Sequence, residues 1–135
     1  MTWELDADPE RLDVARLHGW LTREAYWARG RSRATVEAAV AGSWCLGAYD
    51  ATVGQVGFAR LVTDGATYGW LCDVFVAEPH RGRGIARALV LRTLEQCDHW
   101  RVGRVMLATR DAHGLYRACG FTDVADGLFL ERRVS

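Results

Sequence analysis

Arg81-Gly82-Arg83-Gly84-Ile85-Ala86 combines residue types that can hold a phosphate, at a point in the chain suited to holding one. It follows an apolar run, Leu71-Cys72-Asp73-Val74-Phe75-Val76, that reads as a strand closed by Ala77-Glu78-Pro79. It opens into Ile85-Ala86-Arg87-Ala88-Leu89-Val90, which reads as a helix. The first N–H groups of a helix lack an intrahelical acceptor and sit at the positive end of its dipole. Gly82 and Gly84 carry no Cβ, so an anion can approach that backbone closely, and Arg81 and Arg83 offer mobile countercharge. A pyrophosphate fits such a cradle. A glycine turn also forms wherever a strand bends sharply into a helix, so this stretch alone leaves both readings open. No Lys-Ser/Thr follows Gly84, as a P-loop would need, and the third glycine of a dinucleotide fingerprint is absent.

The elements around this turn must position it, and the totals bound them. A chain of 135 residues fits one domain, 1–135, with a single core. Seventeen basic residues balance seventeen acidic ones, which argues against a dedicated nucleic-acid binder. Met1-Thr2-Trp3-Glu4-Leu5-Asp6 has neither the basic flank nor the apolar segment of a leader, and no run is long enough to span a membrane. A cytoplasmic protein is expected. Cys45, Cys72, Cys97 and Cys119 are scattered, without metal-ligand spacing, so they read as reduced and mostly buried, with no metal expected.

Trp3-Glu4-Leu5 is a short strand. Asp8 before Pro9 predicts a capped helix to about His18, and Thr22 through Ala28 a second, stopped by Gly30. The segment from Trp20 to Arg33 mixes bulky aromatics with arginines. It reads either as a half-buried helix packing its rings on a sheet, or as a lid whose rings and arginines flank a ligand. Ser32 caps a further helix to about Gly42. Alternation then predicts strands over Trp44–Tyr49, Gln55–Val62 and Thr67–Val76, the last two made antiparallel by Asp64-Gly65. The helix opened by Gly84 should run to about Trp100. Arg104–Ala108 should be a short buried strand, set parallel to the Val76 strand by the crossover rule. Asp111 through Cys119 reads as a helix, and Phe121–Val124 with Leu128–Glu131 as a closing hairpin around Asp126-Gly127.

The order of these elements resembles the GNAT family, the Gcn5-related N-acetyltransferases. Arg81-Gly82-Arg83-Gly84-Ile85-Ala86 is similar to that family's acetyl-CoA motif R/Q-x-x-G-x-G/A, with Arg81, Gly84 and Ala86 on the defining positions. Ala112-His113-Gly114-Leu115-Tyr116-Arg117-Ala118-Cys119-Gly120-Phe121 resembles the family's A-x-x-L-Y-x-x-x-G-F. The likeness covers about residues 40 to 130. It implies an α+β fold: a mixed, mostly antiparallel sheet flanked by helices and splayed between the strands ending at Val76 and Ala108. It also implies acetyl-CoA as co-substrate. Backbone groups at Val74, Phe75 and Val76 would hold the pantetheine arm and thioester, and amides from Arg81 through Arg87, including Gly82, Arg83, Gly84, Ile85 and Ala86, the pyrophosphate. Many members carry Asn where this chain has Thr109.

The implied reaction is acetyl transfer to the amine of a small molecule or amino acid by direct attack on the thioester. An alkylamine resembles Lys, with a pKa near 10.4, so a proton must be removed before attack. Asp73, beside the expected thioester, is the candidate base, and it can equally be a structural hydrogen-bond acceptor for the N-terminal helices. Alternation puts Asp73 and Phe75 on one face and Val74 and Val76 on the other. Tyr116 occupies the family's position for donating a hydrogen bond or proton to the departing sulfur, a phenol of pKa about 10 facing a thiolate of basicity near 8.5. A backbone N–H near Val74 or Phe75 would meet the oxyanion. His80, His113 and Asp111 default to turn, capping and surface roles. A non-catalytic acetyl-CoA-binding module and a protein N-acetyltransferase are the alternatives. An arginine of the 23–33 segment facing the pocket would favour a carboxylate-bearing acceptor, whereas a dominant Asp73 would favour a cationic one. A homodimer is admitted.

Overall fold

In the computed structural model, β1 (Trp3–Asp6), β2 (Trp44–Asp50), β3 (Gly54–Thr63), β4 (Gly69–Val76) and β5 (Val105–Met106) form one sheet in sequence order. Neighbours are antiparallel from β1 to β4, and β4 and β5 are parallel. The helices are α1 (Val14–Arg23), α2 (Arg33–Ala41), α3 (Ile85–Trp100) and α4 (His113–Ala118). The structure describes residues 2–134, without the Tyr26 side chain. Met1, which opens the stretch read as leader-free, and Ser135 lie outside the described residues. The mixed sheet with its single parallel pair is the fold class that the sequence implied.

Two apolar clusters sandwich the sheet. On one face Leu46, Ala59, Leu61, Leu71 and Val76 pack with Ile85, Leu89, Val90 and Cys97 of α3, and Tyr116 and Phe121 join their edge. On the other, Phe58, Phe75 and Cys45 pack with Leu17, Trp20 and Leu21 of α1 and Val36 of α2. Helix α3 lies close because β3 carries Gly57 beneath it: a Cβ there would stand 3.2 Å from Ile85 Cγ2 and 3.3 Å from Leu89 Cδ1. Helix α1 is tied at its start to β3. Gln55, buried, accepts from the Asp13 amide at 2.8 Å and donates to the Gly57 carbonyl at 3.1 Å.

Local chemistry moves several expected boundaries. The first helix does not start at Pro9. Asp8 caps only a 3-10 turn, Pro9–Arg11, and Asp13 caps α1 by accepting from the Arg16 amide at 3.0 Å. The helix expected over Thr22–Ala28 is absent: Thr22 and Arg23 finish α1, and Tyr26–Ala28 is a 3-10 turn. β4 begins at Gly69 instead of Thr67, because Asp64 holds its own loop by accepting from the amides of Ala66 at 2.9 Å and Thr67 at 2.7 Å. β5 is two residues long and half-buried, shorter and wetter than expected of Arg104–Ala108. The closing hairpin is not formed. Phe121–Glu131 is irregular and largely exposed, with no ladder to pair its alternating residues. The last helix starts at His113, after a turn that Thr109 fastens by accepting from the Ala112 amide at 3.0 Å.

Candidate active site

The parallel ladder between β4 and β5 has only two registered pairs, Gly69 with Val105 and Trp70 with Met106. Beyond Trp70 the strands part. The gap holds a cavity of about 240 Å³, whose walls include Val74 from β4, Thr109 beyond β5, Trp27 and Arg31 from the α1–α2 connection, and Tyr116 from α4. Elements from both faces of the sheet therefore meet where it is open. Tyr116 is half-buried and sits edge-on to Phe121, with ring centroids 5.8 Å apart at 78°.

Asp73 enters this cavity through a β-bulge. Arg60 pairs with Cys72 and Phe58 with Phe75, so Ala59 alone faces both Asp73 and Val74. The extra residue is Asp73, with φ 53°, the left-handed region usual for glycine at such bulges and tolerated by aspartate. The bulge shifts the phase of the strand. Leu71 packs toward α3 while Phe75 packs toward α1, although simple alternation would put both on one face. From the bulge onward the expected alternation holds, with Asp73 and Phe75 opposite Val74 and Val76.

Three donors converge on Asp73. Trp27 Nε1 donates to Oδ1 at 2.9 Å, and Arg31 Nη1 at 2.7 Å and Arg60 Nε at 2.9 Å both donate to Oδ2. Burial would push this carboxyl up, but the hydrogen bond from Arg31 and the charge and hydrogen bond of Arg60 outweigh it and hold the pKa below the usual carboxylate range. Its side chain is 1% exposed, against 13% for Arg60 and 25% for Arg31. One ionised carboxylate thus faces two guanidiniums. That arrangement suits an anchor far better than a base, which must accept a proton at neutral pH. Burial also raises the neighbouring thiols, Cys72 to about 11 and Cys45 to about 12, so both stay protonated and unreactive.

The glycine turn stands at the end of β4. Gly82 and Gly84 adopt φ of 81° and 80°, and a Cβ on either would meet nothing within 4 Å, so the space over them is open. The Arg81 amide is taken by the Glu78 carbonyl at 3.2 Å, whereas among the described residues the amides from Gly82 through Arg87 have no protein acceptor. These groups fit a diphosphate. The two arginines depart from expectation, because each is engaged within the protein. Arg81 Nε donates to the Val76 carbonyl at 2.9 Å and its guanidinium lies 5.5 Å from the Phe75 ring centre. Arg83 contacts His80 Nδ1 at 2.7 Å and Asp50 Oδ2 at 3.4 Å, and its Nε is buried without a partner. Both brace the turn. The Val76 carbonyl, expected to serve the ligand, accepts from Arg81 instead.

The structure thus brings Asp73, Val74 and Tyr116 to one cavity and sets residues 81–87 at the end of the same strand. The three side chains that hold Asp73 are not singled out one by one in the sequence. Trp27 and Arg31 lay in the aromatic and basic segment that could be helix or lid; Trp27 and Arg31 line the cavity, while Trp20 is core, stacked on Phe75 at 5.5 Å. Arg60 had one signal, a charge in the middle of an otherwise apolar strand. Among the described residues no cluster of His, Cys, Asp or Glu could hold a metal, and no helix is long and apolar enough to cross a membrane.

A sheet sewn by antiparallel strands, opened at one parallel pair and followed by a glycine turn at the start of α3 defines an acyl-group transferase architecture. Residues 41–121 match the model of the Acetyltransferase (GNAT) family, and the chain belongs to that family. A solved GNAT-family protein from Xanthomonas campestris pv. campestris is 37% identical, covers 99% of this chain and 94% of its own, and superposes with a TM-score of 0.92. An acetyltransferase-named protein of Gibberella zeae is 40% identical over 63 residues, which are 46% of this chain and only 36% of that one. Glucosamine-6-phosphate N-acetyltransferase from Arabidopsis thaliana shares the fold at a TM-score of 0.71, 14% identity and full coverage of both chains.

Proposed function

We propose that the protein transfers an acetyl group from acetyl-CoA to the amine of a small molecule by direct attack of that amine on the thioester. The observation that carries this reading is the parting of β4 from β5 after Trp70, which places the Tyr116 ring and the β4 backbone on one cavity. Acetyl-CoA, when bound, supplies an activated acyl carbon and a thiolate leaving group. The amides of Gly82 through Arg87 hold its diphosphate, with Arg81 and Arg83 bracing that turn. Backbone groups of Val74, Phe75 and Val76 line the path of the pantetheine arm, and a β4 N–H polarises the carbonyl. Tyr116 protonates the departing sulfur.

Asp73 acts here as an anchor. Its charge fixes Arg31, Arg60 and Trp27. The amine's proton leaves to water at the cavity mouth, where Asp111 stands.

Release of free CoA measured across a panel of amines tests the proposal. At least one small amine should be consumed, and Tyr116→Phe should lower kcat about 100-fold while CoA affinity stays within about twofold. Tight CoA binding with no amine consumed, together with a silent Tyr116→Phe, would instead mark a binding module without turnover.

A further inference from the structure

Resting on the acetyl-transfer reading above, we propose that the acceptor is a small zwitterionic amino acid, its carboxylate held by Arg31 and its amine turned toward Tyr116 and Asp111. The charges around the cavity carry this inference. On its buried side one carboxylate, Asp73, meets two guanidiniums, Arg31 and Arg60, which leaves an excess of positive charge. Arg60 spends a second N–H on Ser43 Oγ at 3.0 Å. Arg31 spends a single Nη on Asp73 at 2.7 Å, and among the described residues its side chain makes no other bond. A guanidinium has five donors, so most of the Arg31 fork remains for a ligand anion.

The segment after β5 carries the opposite sign. Asp111, exposed on the turn into α4, lines the same cavity and has no ion-pair partner among the described residues. A carboxylate at one end and an ammonium at the other match this polarity, and they aim the amine at the wall that bears Tyr116. A volume of about 240 Å³ has room for a molecule of amino-acid size. Trp27 and Trp70, 42% and 36% exposed, offer flat apolar walls to its side chain.

In the reaction, the amine nitrogen forms a bond to the acetyl carbon as the carbon–sulfur bond breaks. The electron pair stays on sulfur. The sulfur takes the Tyr116 proton, the amine's surplus proton passes to water beside Asp111, and Tyr116 is reprotonated from solvent.

The test compares leucine, methionine and phenylalanine, each beside the amine lacking only its carboxylate, by kcat/KM for CoA release. The acids should be preferred at least about tenfold, as expected for a charge-assisted hydrogen-bonded pair. Arg31→Gln should lower kcat/KM for the acids about 10- to 100-fold, mainly through KM, and leave the amines within about twofold. Arg31→Lys keeps a countercharge for Asp73 and guards against misfolding. It should raise KM for the acids about tenfold, because an ammonium cannot bind a carboxylate through two parallel bonds. Amines used as well as the acids, or an Arg31 variant that lowers both series alike, would overturn the inference. If neither series is acetylated, the acetyl-transfer reading fails by itself. Tryptophan-fluorescence titration with the same six compounds then decides the subsite: tighter binding of the acids supports it, and equal or no binding overturns it.

Discussion

Replacing Asp73 by Asn removes a charge with almost no change of shape, and asparagine tolerates the left-handed backbone of the bulge. The amide keeps one oxygen for the three donors that meet there, and turns an NH₂ toward others. Breaking a buried ion pair by removing one partner costs about 3–5 kcal/mol. Arg31 is a quarter exposed and Arg60 retains its bond to Ser43, so the loss should lie nearer about 2–3 kcal/mol. The pH dependence has a definite sign. Burial raises the Asp73 pKa, but Arg31 and Arg60 pull it below its unfolded value of about 3.9, so its contribution is complete above that value and fades as pH falls through the folded one. Urea unfolding followed by tryptophan fluorescence should therefore give a gap between the parent protein and Asp73→Asn that is constant above about pH 5 and narrows below about pH 4. A gap under about 0.5 kcal/mol, or one indifferent to pH, refutes the anchor. So does the opposite kinetic result: unchanged stability with kcat lowered about 10²- to 10⁴-fold, as expected of a lost general base.

Gly84→Ala should leave the fold intact at a cost of about 1 kcal/mol for a left-handed non-glycine residue, because its Cβ meets nothing in the protein. The same methyl would protrude into the open cradle, so calorimetry should find CoA bound at least about tenfold more weakly; unchanged affinity would place the diphosphate elsewhere. Gly57→Ala should do the reverse. Its Cβ would press on Ala48, Ile85 and Leu89 at 3.2, 3.2 and 3.3 Å, and urea unfolding should register a loss of about 1–3 kcal/mol. Stability equal to the parent's would mean that α3 is free to lift from the sheet.

What could be foreseen from sequence was whatever is encoded by neighbours along the chain. Helix α3 starts and stops where Gly84 and Trp100 predict, because a glycine turn and an apolar stripe are local signals. β2 and β3 fall within a residue or two of the alternating runs. The first helix was misplaced because Asp8 and Asp13 are equally good caps on paper, and only the contact of Asp13 with Gln55 selects the second. The C-terminal hairpin failed for a related reason. Its residues alternate well enough, but a strand needs a ladder, and none is offered to Phe121–Glu131 among the described residues. The bulge at Asp73 is a mismatch between two strands and belongs to neither alone. Arg31, Arg60 and Asp73 come together from positions 42 and 13 residues apart, and spacing along the chain carries no trace of that meeting.

The two-residue seam between β4 and β5 has a mechanical meaning. After α3 the chain rejoins the sheet backbone through that stitch and the Arg104 carbonyl, which accepts from Gly69 at 3.0 Å, so the C-terminal quarter is the less firmly tied side of a jaw. A molecule lodged between the two strands replaces the missing rungs and shares in holding the halves together. Occupancy and rigidity then become one property: saturating the slot should tighten the chain beyond Trp100 more than it tightens the antiparallel strands, which need no such splint.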